Sequence, residues 1–186
     1  MTNETPSVLA AFCAQIIALK RLPRTGWLQR GIAHPESIAE HTCGVALLAL
    51  AVAPLLPGID RERTLALALI HDLGEAILTD LPLSASRLLG AAKHQAEQRA
   101  VAQVVGALPG GEALMADWRE YHQAASPEAR LVKALDRIEL LAQALAYEQA
   151  GQRGLDEFWV LAEQGWDEFP PLAELARELA ARRPRI

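Results

Sequence analysis

The stretch Leu69-Ile70-His71-Asp72-Leu73-Gly74-Glu75-Ala76-Ile77 sets an adjacent His-Asp pair and a Glu inside an apolar run with helical spacing. Ionisable groups are rarely buried without partners, so a fold that uses this segment must supply them with water, a proton or a cation. Helical spacing puts His71 and Glu75 (i, i+4) on one face, with Asp72 and Glu75 (i, i+3) side by side at its edge. Leu69, Ile70, Leu73 and Ile77 are then the stripe expected to bury the segment. Imidazole beside carboxylate suits a divalent transition metal. Taken alone, a His-Asp pair is more often a solvated helix edge, and only ligands elsewhere in the chain decide.

Ala and Leu dominate the remainder, β-branched runs are scarce, and helix formers fill nearly every segment, which makes the expected fold class all-α. The 186 residues contain no long polar or Gly/Ser-rich linker and fit a single domain, with a core over about 7–151 and terminal helices over 155–182. A net charge of −5 argues against a nucleic-acid polymer as partner. It leaves room for a small anionic substrate, because a metal and two arginines outweigh it locally. Cys13 and Cys43 lie in apolar helical stretches and are expected to be buried free thiols of a reducing compartment. The N-terminus has no basic-then-apolar leader pattern, and no 18-residue apolar run is apparent. A cytoplasmic location without a membrane partner is the expectation.

In chain order, residues 7–19 read as an amphipathic helix. Pro23, Gly26 and Gly31 then break the chain and leave Trp27 on a loop or bend. A Trp there is either an anchor packed on the core or a flat wall for a base or sugar, with Arg24 and Arg30 nearby as phosphate donors. Ser37-Ile38-Ala39-Glu40 is a capping box, which puts His41 in the first turn with its ring towards the open end of the bundle. Asp60 caps a central helix expected over 61–78. Gly74 inside it costs ~1 kcal/mol relative to Ala, in return for close approach of another helix or a ligand. Asp80 lies on the turn that closes this helix. Further helices are expected over 86–108 and 112–124, with His94 and His122 structural or solvated for want of partners. Ser126-Pro127-Glu128 opens a long helix to residue 150. Asp136, beside its apolar stripe, requires a cation, and Lys133 and Arg137 are the local candidates. Residues 155–182 read as two short helices with Phe158, Trp159, Trp166 and Phe169, covering the bundle or forming a subunit interface.

His41, the pair His71-Asp72, and Asp136 thus fall on three helices, and their two carboxylates neutralise one divalent cation. This order resembles the HD-domain phosphohydrolase superfamily. Pro23-Arg24-Thr25-Gly26-Trp27, Pro35 to His41, Ala68 to Ile77 and Lys133 to Glu139 resemble the signature segments of the HD-domain 5′-deoxynucleotidases, and Gln143 to Glu148 extends the likeness. The resemblance implies an all-helical bundle that holds one divalent metal ion (Mn, Co, Fe, Ni or Zn) through His41, His71, Asp72 and Asp136. It also implies removal of the 5′-phosphate from deoxyribonucleoside monophosphates, with Glu75 and Asp80 needed for turnover and Trp27 against the sugar. A homodimer is expected. Gly26 departs from the bacterial branch, where Arg precedes the Trp, so phosphate contact shifts to Arg24 or Arg30. Thr79 stands where many members have Gly, and the pattern after Asp80 is compressed. On chemical grounds a metal would bind a phosphoryl oxygen and lower the pKa of a bound water. Glu75 or Asp80 would orient that water or protonate the leaving 5′-oxygen. The rival readings are an HD enzyme acting on nucleoside triphosphates or guanosine tetraphosphate, and a non-catalytic metal-bound interaction module.

Overall fold

The structure, a computed structural model, describes residues 5–162 and 165–184. The helix-forming composition is realised as α1 (Thr5–Arg21), a single turn α2 (Thr25–Leu28), α3 (Ile38–Val52), α4 (Arg61–Ile70) and a single turn α5 (Glu75–Leu78). These are followed by α6 (Leu83–Leu89), α7 (Ala91–Val105), α8 (Gly111–Gln123), α9 (Pro127–Gln149), α10 (Asp156–Ala162) and α11 (Pro170–Ala181). The expected caps form. Ser37 and Glu40 make the reciprocal capping box, Asp60 accepts from the Arg63 amide, and Ser126 accepts from the Ala129 amide with Pro127 in the first turn.

Helices α3, α4 and α9 pack on one another and form the centre of the bundle. Val45, Ala49, Leu67, Leu131, Leu135 and Leu141 are fully buried there. Each large aliphatic side chain so buried contributes about 1.5–3 kcal/mol. Residues of α1, α7 and α8, with Ile38 of α3, Ile70 at the end of α4 and Leu73 just after it, build a second apolar cluster that includes Leu19, Val101 and Trp118. Helices α10 and α11 cover α9, where Phe158, Trp159, Trp166 and Phe169 are buried, so within this chain the terminal aromatics complete the bundle.

Several expectations change. The central helix stops at Ile70, and residues 71–74 form a tight turn in which Leu73 N–H donates to Ile70 O and Glu75 N–H to Asp72 O. The His71 ring donates through Nδ1 to Ala68 O at 2.7 Å, which occupies a carbonyl at the helix end. Gly74 permits the turn to meet α7, since a Cβ there would lie 3.0 Å from Val101 Cγ2. The stripe is only half realised: Ile70 and Leu73 are buried, while Leu69 is 55% and Ile77 37% exposed. The helix expected over 86–108 is two helices, broken at Gly90 with φ +50°. Cys13 and Cys43 are free but exposed, because both fall on the outer faces of their helices. Residues Ile38–Leu55, α3 with its following turn, are long and apolar enough to cross a membrane by length and composition, contrary to the sequence reading. Part of that apolarity is the face of α3 buried against α4 and α9, the face that also carries His41.

A candidate metal centre and its cavity

Three helices deliver four donor groups to one place. His41 comes from the first turn of α3, His71 and Asp72 from the turn after α4, and Asp136 from the middle of α9. His41 Nε2 lies 3.1 Å from Asp136 Oδ1, 3.4 Å from His71 Nε2 and 3.7 Å from Asp72 Oδ2, and His71 Nε2 lies 3.1 Å from Asp72 Oδ2. The tautomers follow from the other ring nitrogens. His41 Nδ1 contacts Glu139 Oε2 at 2.5 Å, and His71 Nδ1 contacts Ala68 O, so both protons sit on Nδ1. The two Nε2 atoms and the two carboxylates face one another. Burial and Arg24 disfavour the His41 cation, but hydrogen bonds to Asp136 and Glu139 outweigh them and raise its pKa to about 10, so a proton balances the carboxylates when no metal is bound. A divalent transition metal would take that proton's place, and the donor set fits one. Asp136, for which Lys133 and Arg137 were the local candidates, is instead paired with His41, while Arg137 lies over the Trp166 ring.

The His41 ring is fully buried rather than turned to an open end of the bundle. It is held by a layer that sequence reading missed. Glu139 reaches it across Gly44, where a Cβ would meet Glu139 Oε1 at 2.8 Å. Glu36 stands next to this pair, and burial, then the neighbouring Glu139, push its carboxyl up to about 7. The only signal available was the position of Glu139 one turn after Asp136 on α9.

Trp27 is the anchor of the two alternatives. It sits on α2 rather than a loop, exposes 1% of its surface, and donates through Nε1 to Glu36 Oε1 at 2.8 Å. Its ring packs against Tyr147 and Phe158 at centroid distances of 5.2 and 4.4 Å. It still borders the cavity described below. The same segment is stitched to the start of α3 by Arg24 N–H to Glu36 O and Ile38 N–H to Leu22 O. This brings Arg24 Nη1 to 3.3 Å from Asp72 Oδ2. Burial disfavours the Arg24 cation, but Asp72, Asp136, Asp80 and Glu75 outweigh it and hold its pKa up. Arg30 is instead engaged with Glu157 at the rim.

A cavity of about 500 Å³ opens on this centre, bordered by His71, Asp72, Asp136, Glu75, Asp80 and both arginines. Burial raises the Asp72 and Asp136 pKa values, yet the two histidines and Arg24 outweigh it, so both carboxylates are held ionised. Glu75 behaves oppositely: burial, then Asp72 and Asp80, raise it well above the ordinary carboxyl value. Asp80 Oδ2 accepts from the Thr25 amide and hydroxyl at 2.5 and 2.9 Å, tying the turn to the start of α2. Lys93 and Lys133 also border the cavity, and Lys93 is a cation that the sequence did not bring to the site. His94 and His122 do have partners: each other, with Nδ1 and Nε2 2.8 Å apart.

An all-helical bundle that gathers two imidazoles and two carboxylates from three helices is a fold organised around a divalent metal. Residues 16–165 match the HD domain, and the chain belongs to that family. It is 39% identical to the 5′-deoxynucleotidase HDDC2 of Danio rerio over 90% of this chain and 84% of that protein. The 5′-deoxynucleotidase HDDC2 of Homo sapiens is 33% identical, over 94% of this chain and 86% of its own. Among solved structures, a conserved hypothetical protein from Pyrococcus furiosus superposes with a TM-score of 0.80 at 37% identity, covering 91% of this chain and 98% of that one.

Proposed function

We propose that the chain is a phosphomonoester hydrolase that removes the 5′-phosphate from deoxyribonucleoside 5′-monophosphates. The observation that carries the reading is one cavity bordered by three of the four convergent donors, a buried arginine and a carboxyl group held neutral. The curated relatives bearing the name 5′-deoxynucleotidase support it. His41, His71, Asp72 and Asp136 would hold the ion, and Mn, Co, Fe, Ni or Zn suits that set. Bound there, a divalent ion supplies Lewis acidity towards a phosphoryl oxygen and lowers the pKa of a water. Arg24, anchored on Asp72, offers N–H donors to the phosphate, with Arg30 as a second contact at the rim. Glu75 in its neutral form donates a proton to the leaving 5′-oxygen. Asp80 fixes the Arg24–Trp27 segment through Thr25 and offers its carboxylate on the substrate side. Trp27, with little exposed surface, contributes an edge to the sugar site rather than a broad wall.

The chain is further proposed to work as one HD domain, as a homodimer, in the cytoplasm. Exposed Leu9, Ile16 and Ile17 on α1 and Leu47 on α3 support self-association. A second reading, hydrolysis of nucleoside triphosphates, is favoured by Lys93 and Lys133, which add positive charge to the cavity. The test is phosphate release from deoxy- and ribonucleoside mono- and triphosphates, with and without added metal. Metal-dependent release of inorganic phosphate from deoxyribonucleoside monophosphates, with triphosphates inert, is expected. Preferential turnover of triphosphates would transfer the conclusion to the second reading, and inactivity on all would leave a metal-bound interaction module.

A further inference from the structure

Glu36 is a buried carboxyl group that the proposed chemistry does not use. It lies two residues before α3 and joins three parts of the site's frame. Its amide donates to Tyr147 Oη at 2.8 Å, and its carbonyl accepts from the Arg24 amide at 2.9 Å. Its side-chain Oε1 accepts from Trp27 Nε1 at 2.8 Å. Tyr147 closes the group, since its ring meets the Trp27 indole edge-on, with 71° between the planes. Phe158 of α10 packs on the same indole and, like Trp27, borders the cavity. Glu36 and Tyr147 stand behind Trp27, outside the described residues that border the cavity.

An indole N–H only donates, and a buried donor left without an acceptor is costly, so the Glu36 oxygen fixes the rotation of the ring. With Nε1 engaged by Glu36, the indole offers the cavity no hydrogen-bonding atom. A 2′-deoxy carbon is accommodated against such an edge, whereas a 2′-hydroxyl loses its water and gains no partner. A wall of this kind discriminates only if it is held still, since a misplacement of about 1 Å can cost about 10²-fold. We propose that Glu36 is a positioning residue that sets the preference for deoxy sugars, by holding the Trp27 indole so that only its apolar edge meets the sugar. The inference rests on the hydrolase reading. Both backbone hydrogen bonds of Glu36 survive replacement of its side chain, so a variant isolates the Trp27 contact. A rival route runs through the metal, because a Glu36 oxygen lies within 4.8 Å of donor atoms of His41 and Glu139.

The test compares kcat/KM for the deoxy and ribo forms of one nucleoside 5′-monophosphate in metal-loaded wild type, Glu36→Ala and Glu36→Gln. Glu36→Ala is expected to lose about ten-fold or more of the discrimination, through a rise for the ribonucleotide relative to the deoxynucleotide. Glu36→Gln, whose amide oxygen still accepts from the indole, is expected to keep most of it. Trp27 emission, taken as the difference from the same protein carrying Trp27→Phe, should move to longer wavelength in Glu36→Ala and stay in place in Glu36→Gln. If circular dichroism shows Glu36→Ala unfolded, Glu36→Leu, which keeps bulk but accepts no hydrogen bond, is read in its place. Equal losses on both sugars, with metal binding weakened by calorimetry, would put Glu36 on the His41 side and overturn the proposal. A deoxy preference absent from the wild type, or retained in the folded variant, would overturn it too and leave hydrolysis intact. A wild type that releases phosphate from no monophosphate would sink the hydrolase reading and this inference with it.

Discussion

Glu75 carries a buried Oε2 that has no hydrogen-bond partner among the described residues, and its pKa is raised well above normal by burial and by Asp72 and Asp80. A carboxyl group kept neutral in this way can give a proton, which supports the acid role proposed for it over the base role. Glu75→Gln should keep fold and metal yet lower single-turnover phosphate release by about 10²–10⁴-fold. The same group makes a prediction for stability. In metal-stripped protein the folded state holds a proton that the unfolded chain gives up, so the folded form binds more protons. The stabilisation is complete below the ordinary carboxyl pKa and is lost as pH rises through the raised folded value. Urea melts from mildly acidic to alkaline pH should show that decline in wild type and a flatter profile in Glu75→Gln. Gly44 supplies the other residue-scale test. A methyl group there collides with Glu139, so Gly44→Ala should displace the carboxylate that orients His41. Metal affinity measured by calorimetry is expected to fall about 10–100-fold. Unchanged affinity would reduce Glu139 to a packing residue.

Among the elements, the short turn between α4 and α5 and its closing residue Thr79 matter most. Thr79 has φ +63° and ψ 167°, a conformation that is essentially glycine's. Glycine is the residue that adopts it without strain. Relief of about 1–3 kcal/mol of backbone strain exceeds the ~0.5–1 kcal/mol entropic penalty of glycine. Thr79→Gly is therefore expected to stabilise the protein by ~1 kcal/mol, read as a higher melting temperature, and a lower one would contradict the strain. Helix starts at this scale were legible, because Ser37, Asp60 and Ser126 each accept from the amide three residues further on. The end of α4 was not. Apolar spacing through Ile77 continues the helical period, whereas the chain tightens at His71 and lets α7 approach Gly74.

For the molecule as a whole, the candidate ligands join α3, α9 and the turn after α4, so occupancy must stabilise the bundle globally. A metal at 100 times its dissociation constant adds about 2.7 kcal/mol. Saturating Mn²⁺ or Co²⁺ should raise the melting temperature of wild type. Asp72→Ala should lose both most of that rise and activity, and a full rise in the variant would remove Asp72 from the ligand set. The sequence by itself determined the all-helical class and the caps, because these depend on composition and local hydrogen bonding, and it marked His41, His71, Asp72 and Asp136 as candidate ligands only through their resemblance to a known series. Tertiary structure decided what faces what across helices. Arg24 rather than Arg30 reaches Asp72, Trp27 is an anchor on Glu36, Glu139 stands behind His41, and His94 meets His122. Periodicity fixes which side chains share one helical face. Their partners on other helices depend on crossing positions set by the packing of the entire core, which no local spacing encodes.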